Sequence, residues 1–240
     1  MERKAILRCI VLLAPLWVTN AHAQNSVVET PLYSAAERKI GFEYRKDLNA
    51  LWQSMGKGEA VDVQAGLQPA LSYCDAQQRP GRRVVSVATS QEYERYMADN
   101  ASGEPTEWID IACPTAYYMT GYLHAGARRW QEALQWLERA NAIAPYFPDP
   151  RNERAFVLAQ SGQLAEALAS YREVLDLADR FPNAAYIKPL ALRGQGWVLV
   201  EMGDLDGAQR SYEASLELDP GNPLAKQELE YIGQLRSKQH

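Results

Sequence analysis

The sequence predicts a predominantly all-α fold in which helix-turn-helix units stack on one another, and three observations in its second half predict it. First, Ala133, Ala167 and Ala208 sit in similar local contexts: Glu132-Ala133-Leu134, Glu166-Ala167-Leu168 and Gly207-Ala208-Gln209. Second, a small residue stands twelve positions before each alanine (Gly121, Ala155, Gly196) and a large one four positions after it (Leu137, Tyr171, Tyr212). Third, Gly162 and Gly203 lie five residues before their alanines, where a helix-helix turn needs positive φ, and Pro145 and Pro220 lie twelve after, where a helix must stop. Self-similarity of this kind marks a repeat array, in which single units cannot bury their own apolar faces and must stack.

The 240-residue chain begins with a segment that reads as separate from this fold. Arg3 and Lys4 precede an apolar run, Ala5 to Val18, and Ala21-His22-Ala23 supplies the small residues that a signal peptidase reads. Cleavage is expected after Ala23, which makes residues 1–23 a signal peptide and the protein periplasmic or secreted. The run is interrupted by Arg8 and is shorter than the roughly 20 residues that a membrane-spanning helix needs, so no membrane insertion is expected after cleavage. Cys9 leaves with this segment. Cys74 and Cys113 then remain in an oxidising compartment and read as a disulfide, with two unrelated buried thiols as the alternative.

Residues 24–113 read as an N-terminal helical segment followed by a connecting region. Ser34-Ala35-Ala36-Glu37 has the form of a capping box, after which Ile40, Tyr44, Leu48, Leu51, Trp52 and Met55 trace one helical face. Past Gly56-Lys57-Gly58, a second helix uses Val63, Leu67, Leu71 and Cys74, so the pair makes a helical hairpin that could stack on the first clear repeat. Arg79-Pro80-Gly81-Arg82-Arg83 is a loop, Val84 to Thr89 has the β-branched content of a short strand, and Ser90 is placed to cap a helix through Met97. Residues 100–105 read as a loop and Trp108 to Ile111 as extended chain before the first repeat helix at Pro114.

The residues that repeat from Pro114 onward resemble the tetratricopeptide repeat, a 34-residue unit of helix, turn and helix. Ala133 to Ala167 matches that period; Ala167 to Ala208 exceeds it by seven residues, which are expected around Asp179 to Ile187. The resemblance implies three units, 114–147, 148–188 and 189–222, wound into a superhelix. It departs from the family pattern at Arg128, which occupies a turn position with Gly126 nearby as a substitute, and in the second unit, which has no closing proline until Pro182. Arg154 and Gln195 stand where the family carries leucine. Asn222-Pro223 then reads as the N-cap and first residue of a final helix, 223–240, whose Ala225, Leu229, Ile232 and Leu235 form the stripe of a capping helix. With its leading segment, the chain resembles tetratricopeptide proteins secreted by proteobacteria.

The resemblance also implies a concave groove lined by the first helix of each unit. Its positions here are Tyr118, Asn152 and Arg193, three before the small residue, and Tyr122, Phe156 and Trp197, one after it. An aromatic in all three units, against 10% aromatic residues overall, describes rigid apolar anchors of the type that dominates binding hot spots. The alternative is that residues 24–113 fill the groove and these rings simply pack there. The set does not match the two-lysine, two-asparagine clamp by which chaperone-binding relatives hold a carboxylate.

Charge and composition narrow the function further. With 25 basic against 30 acidic residues, no basic footprint for nucleic acid exists, and signal cleavage makes the chain more acidic still. His124 is the single interior histidine of three and reads as a packed side chain; without HExxH or CxxC, no metal or cofactor is expected. Glu107 with Asp110 offers a bare acid-base pair, and Arg79, Arg82 and Arg83 a basic loop tip. The expected function is therefore a non-enzymatic periplasmic scaffold or adaptor that binds a protein or peptide. A specific inhibitor or immunity protein against a secreted toxin is the alternative, and an enzyme with its site in 75–113 ranks last.

Overall fold

The computed structural model describes residues 41–59, 61–100 and 105–238. The expected cleavage site at Ala23, the capping box at Ser34 to Glu37, Ile40, His22 and His240 lie outside them. Among the described residues the order is α1 (Arg45–Gly56), α2 (Val63–Gln77), β1 (Arg83–Val85), α3 (Ser90–Asp99), β2 (Thr106–Trp108), α4 (Ala112–Gly126), α5 (Trp130–Ile143), α6 (Pro148–Gln160), α7 (Leu164–Arg180), α8 (Lys188–Glu201), α9 (Leu205–Leu218) and α10 (Pro223–Ser237). The fold is an all-α repeat stack with one small pair of parallel strands.

Helices α4 to α9 form three antiparallel pairs. Gly121 lets the α4 backbone meet Leu137 of α5, where a Cβ would stand 2.7 Å from the leucine; Gly196 does the same against Tyr212, at 2.9 Å. The small-large pairing read from the sequence is thus the crossing point of the first and third pairs, where the backbones approach because no side chain stands between them. Gly162 and Gly203 take left-handed φ values of 84° and 83° at their turns. In the first unit Arg128 itself takes φ 57°, while Gly126 stays helical, so the expected glycine substitute is not used. Closure of that turn by Arg128 N–H to Ala125 C=O (2.9 Å) and Arg129 N–H to His124 C=O (2.9 Å) holds arginine in a conformation that glycine would adopt without strain.

The seven extra residues of the second unit lengthen α7 to Arg180 and form a 3-10 segment, Pro182–Ile187. At the two positions where leucine was expected, polar pairs bridge the helices: Arg154 Nη1 donates to Ser170 Oγ (2.7 Å), and Ser211 Oγ donates to Gln195 Oε1 (3.0 Å). Asn222 caps α10 by accepting from Ala225 N–H (3.1 Å), and Ala225 and Ile232 are buried against the last pair.

The leading helices both pack on α4 and share the core of the first pair. Leu48, Leu67, Leu71 and Cys74 join Cys113, Tyr117 and Met119 in one core that continues to Leu137 and Val157. The Cys74–Cys113 disulfide, with Cα atoms 5.5 Å apart, ties the last turn of α2 to the first of α4. Between these helices the chain makes an excursion through β1, α3 and β2. The strands pair in parallel, Val84 opposite Glu107, and Ser86 N–H continues to the Ile143 carbonyl (2.6 Å) at the end of α5. Thr89, not Ser90, caps α3: its extended backbone lets Oγ1 accept from Glu92 N–H (3.2 Å), whereas Ser90 is already helical. β2 spans Thr106–Trp108 and α4 begins at Ala112, each about two residues earlier than expected. Tyr146 packs both on Val85, Val87 and Tyr96 of this excursion and on Leu177 in the last turn of α7 with Phe181 and Ala184 just beyond it, so one ring joins the two satellite cores.

Candidate functional site

The first helices of successive units, α4, α6 and α8, pack more closely on one another than their second helices do, which places the first helices on the inside of the curve. Inward-facing positions recur at helical spacing: Tyr118 and Tyr122 on α4; Asp149, Asn152, Glu153 and Phe156 on α6; Leu190, Arg193 and Trp197 on α8.

At the first unit this face is covered by α1. The Trp52 ring lies 5.4 Å from that of Tyr118 and 5.5 Å from that of Tyr122, and Phe147 meets Tyr118 edge-on at 6.0 Å. Tyr118 is consequently buried and Tyr122 half-buried. Phe156 and Trp197 are half-buried, packed at their bases on the two cores. Arg193 is a strut between helices: Nη1 donates to Ser215 Oγ (3.2 Å) and to Asp219 Oδ2 (3.3 Å) on and just after α9. Burial lowers its pKa and the Asp219 carboxylate opposes that shift. Asn152 is buried, and its Oδ1 has no hydrogen-bond partner.

Sequence reasoning missed the two carboxylates between these groups. Asp149 is buried and accepts a hydrogen bond from the Tyr186 hydroxyl; burial still raises its carboxyl to about 6. Glu153, one turn along α6, is raised to about 7 by burial and by the charge of Asp149. Among the described residues no cation stands beside either. Extending the 152 and 156 spacing by one turn would have reached both. In a chain with 30 acidic residues, however, nothing in the letters distinguishes these two from solvated ones.

The other candidates are engaged structurally. Glu107 pairs with Arg82 while Asp110 pairs with Arg45 and accepts from Ala112 N–H (3.0 Å), so the two carboxylates serve different ends of β2 rather than one acid-base site. Arg82 is bound to Glu107, and Arg83 donates to the Asn100 carbonyl (3.3 Å), so the basic loop tip is partly tied down. His124 is half-buried between α4 and α5 with Nδ1 lacking a partner; burial and then Arg129 lower its pKa. Among the described residues no group of three His, Cys, Asp or Glu side chains could hold a metal, and no helix is long and apolar enough to cross a membrane.

Comparison with known proteins follows the same division of the chain. Residues 112–148 match one tetratricopeptide repeat model and residues 149–220 another. A tetratricopeptide repeat protein from Parabacteroides merdae is 15% identical, covering 81% of this chain and 60% of its own, with a TM-score of 0.50; the likeness is one of fold. MamA from Desulfovibrio magneticus is 16% identical over 82% of this chain and 88% of its own, TM-score 0.49. The first tetratricopeptide domain of Spaghetti (RPAP3), a structure bound to the HSP90 peptide SRMEEVD, is 22% identical over 52% of this chain and 93% of its own, TM-score 0.47. No curated protein matches the chain at a significant level. The small-residue crossings, the left-handed turns and the family-model matches agree: residues 112–220 are built of tetratricopeptide repeats.

Proposed function

We propose that this protein is a periplasmic or secreted scaffold that holds a polypeptide partner on the inner face of α6 and α8. One observation carries the reading: among the described residues the elements packed against these two helices all belong to the repeats, their 3-10 insert or the capping helix, whereas α1 covers the inner side of α4. That face carries Phe156 and Trp197 half-buried and Tyr186 and Leu190 exposed at 53% and 46%. Aromatic and aliphatic anchors fixed at their bases lose little side-chain entropy on binding, which suits them to recognition. Trp52 and Phe147 cover the ring of Tyr118, and Ser215 and Asp219 engage Arg193, so neither is counted among the contact residues. A location outside the cytoplasm is supported by the Cys74–Cys113 bond, a linkage that reducing compartments disfavour, together with the signal-like residues 1–23.

Site-specific photocrosslinking in cells tests the face. A photoreactive residue at Leu190 should capture one or a few defined partners, and the capture should fall with Trp197→Ala. The same residue at Leu218, exposed elsewhere on the stack, should capture none of them. Equal capture from both positions would remove the inner face from consideration.

A further inference from the structure

The inner face of α6 carries two carboxylates that no cation of the described residues compensates. Asp149 and Glu153 stand at i and i+4, a spacing at which like charges are neighbours on one helix surface and disfavour each other. Asp149 is buried and Glu153 half-buried, burial raises both carboxyls, and no cation of the described residues answers them. A second, independent feature lies on the same face. Asn152, only 7% exposed and standing between Asp149 and Glu153 in the sequence of the same helix, leaves its Oδ1 without a donor among the described residues. Buried polar groups are nearly always satisfied, so a buried acceptor with no donor beside two carboxylates with no cation describes half of a polar interaction. Aromatic surface borders it: the Phe156 ring one turn beyond Asn152, and Tyr186, whose hydroxyl binds Asp149 while 53% of the residue is exposed.

We infer that this face recognises a cationic side chain of the partner polypeptide, an arginine or lysine, which enters between Asp149, Asn152 and Glu153 with its stem against Phe156 and Tyr186. The inference rests on the reading of the inner face as the binding surface and supplies the chemistry of what it binds. A guanidinium provides donors for both carboxylates and for the amide oxygen together, and these charge-assisted bonds strengthen in a site already withdrawn from water. Its planar cation also stacks on aromatic rings, an arrangement that a neutral or acidic side chain does not reproduce.

The test uses the full chain, isotopically labelled, and three acetylated, amidated pentapeptides that share one aromatic residue and differ at one position: arginine, citrulline or glutamate. The arginine peptide is expected to shift the amide resonances of Asn152, Glu153 and Phe156 and to bind at least tenfold more tightly than the other two. Glu153→Gln is expected to abolish that preference without disturbing resonances outside α6, while Glu217→Gln, on an exposed part of α9, keeps it. Retention of the preference in Glu153→Gln overturns the inference. Equal binding of the three peptides at these resonances also overturns it, but leaves the inner face as a peptide surface. If no peptide shifts these resonances while crosslinking from Leu190 persists, the cationic specificity fails alone; if the crosslinking fails as well, the binding-face reading fails with it.

Discussion

The ring of Tyr171 lies over the backbone of Gly194, so close that a Cβ at residue 194 would overlap the phenol. The contact runs from the second helix of one unit to the first helix of the next, and it fixes how closely α7 and α8 approach. Gly194→Ala should therefore act as overpacking, costing about 2 kcal/mol, or roughly 4–8 °C in Tm for a chain of this size. Tyr171→Leu removes the obstacle and should reduce the penalty of the alanine. Thermal unfolding of both single variants and the double variant measures the coupling; strict additivity would show that the two residues do not meet.

The disulfide should be the main tie between the leading hairpin and the repeats. Cys74 and Cys113 are 39 residues apart and both are buried, so the bond restricts the unfolded chain over a long loop. Replacing both by alanine, or reducing the bond, should lower stability by about 3–4 kcal/mol on a chain-entropy account. Denaturant midpoints with and without reductant check this, and an unchanged midpoint would mean that α2 is held to α4 by packing alone.

Arg45 and Asp110 make a second tie between the same regions. The Asp110 side chain is fully buried, whereas that of Arg45 is 30% exposed, and Arg45 Nε donates to Asp110 Oδ1 at 3.1 Å. Arg45→Met would strand a buried carboxylate that, among the described residues, otherwise keeps its bond to Ala112 N–H, a loss of about 3 kcal/mol. Arg45→Met combined with Asp110→Asn should lose less than the single variant. Chemical denaturation of the pair distinguishes a stranded charge from lost packing, since packing loss would be the same in both.

The acidic pair of α6 makes stability depend on pH. The Glu153 carboxyl rises from 4.5 to about 7 on folding, chiefly through burial, and that of Asp149 from 3.8 to about 6. The groups facing Glu153 are Asp149 on its own helix, Tyr118 on α4 and Tyr171 on α7, while Tyr186 faces Asp149. The folded state thus holds more protons than the unfolded state between about pH 4.5 and 7, and this contribution to stability declines as pH rises through that window. Glu153→Gln should match the wild type near pH 4.5 and exceed it by about 1–2 kcal/mol at pH 8, because partial solvent access moderates the full effect of the shift. Equal stabilities at both pH values would show that Glu153 is solvated.

The repeat architecture is legible because its determinants are local and periodic. Gly121 and Gly196 must be small where helices cross, Gly162 and Gly203 must adopt positive φ, and Asn222 must cap α10, and each requirement is written in one or two letters. Legibility stopped where a residue had a local alternative. Thr89 and Ser90 are equally good caps on paper, and only the backbone at Thr89 decided between them. The left-handed turn fell on Arg128 although Gly126 stood two residues away, because the hydrogen bonds that close α4 select the position and the residue then adapts.

For the binding face the division is sharper. The sequence alone determined a stack of helical pairs, an expectation of some of the residues on the inner side of each first helix, and two cysteines suited to pairing, since all of these follow from spacing. Only the tertiary structure decided which of those inner residues remain available. Trp52, some seventy residues from Tyr118 and Tyr122, covers the first unit, and Ser215 and Asp219 occupy Arg193. It also decided that Asp149, buried, and Glu153, half-buried, have no cation beside them among the described residues, although they are alike in sequence to many solvated carboxylates, because desolvation is set by every element packed around a group and not by its neighbours in the chain.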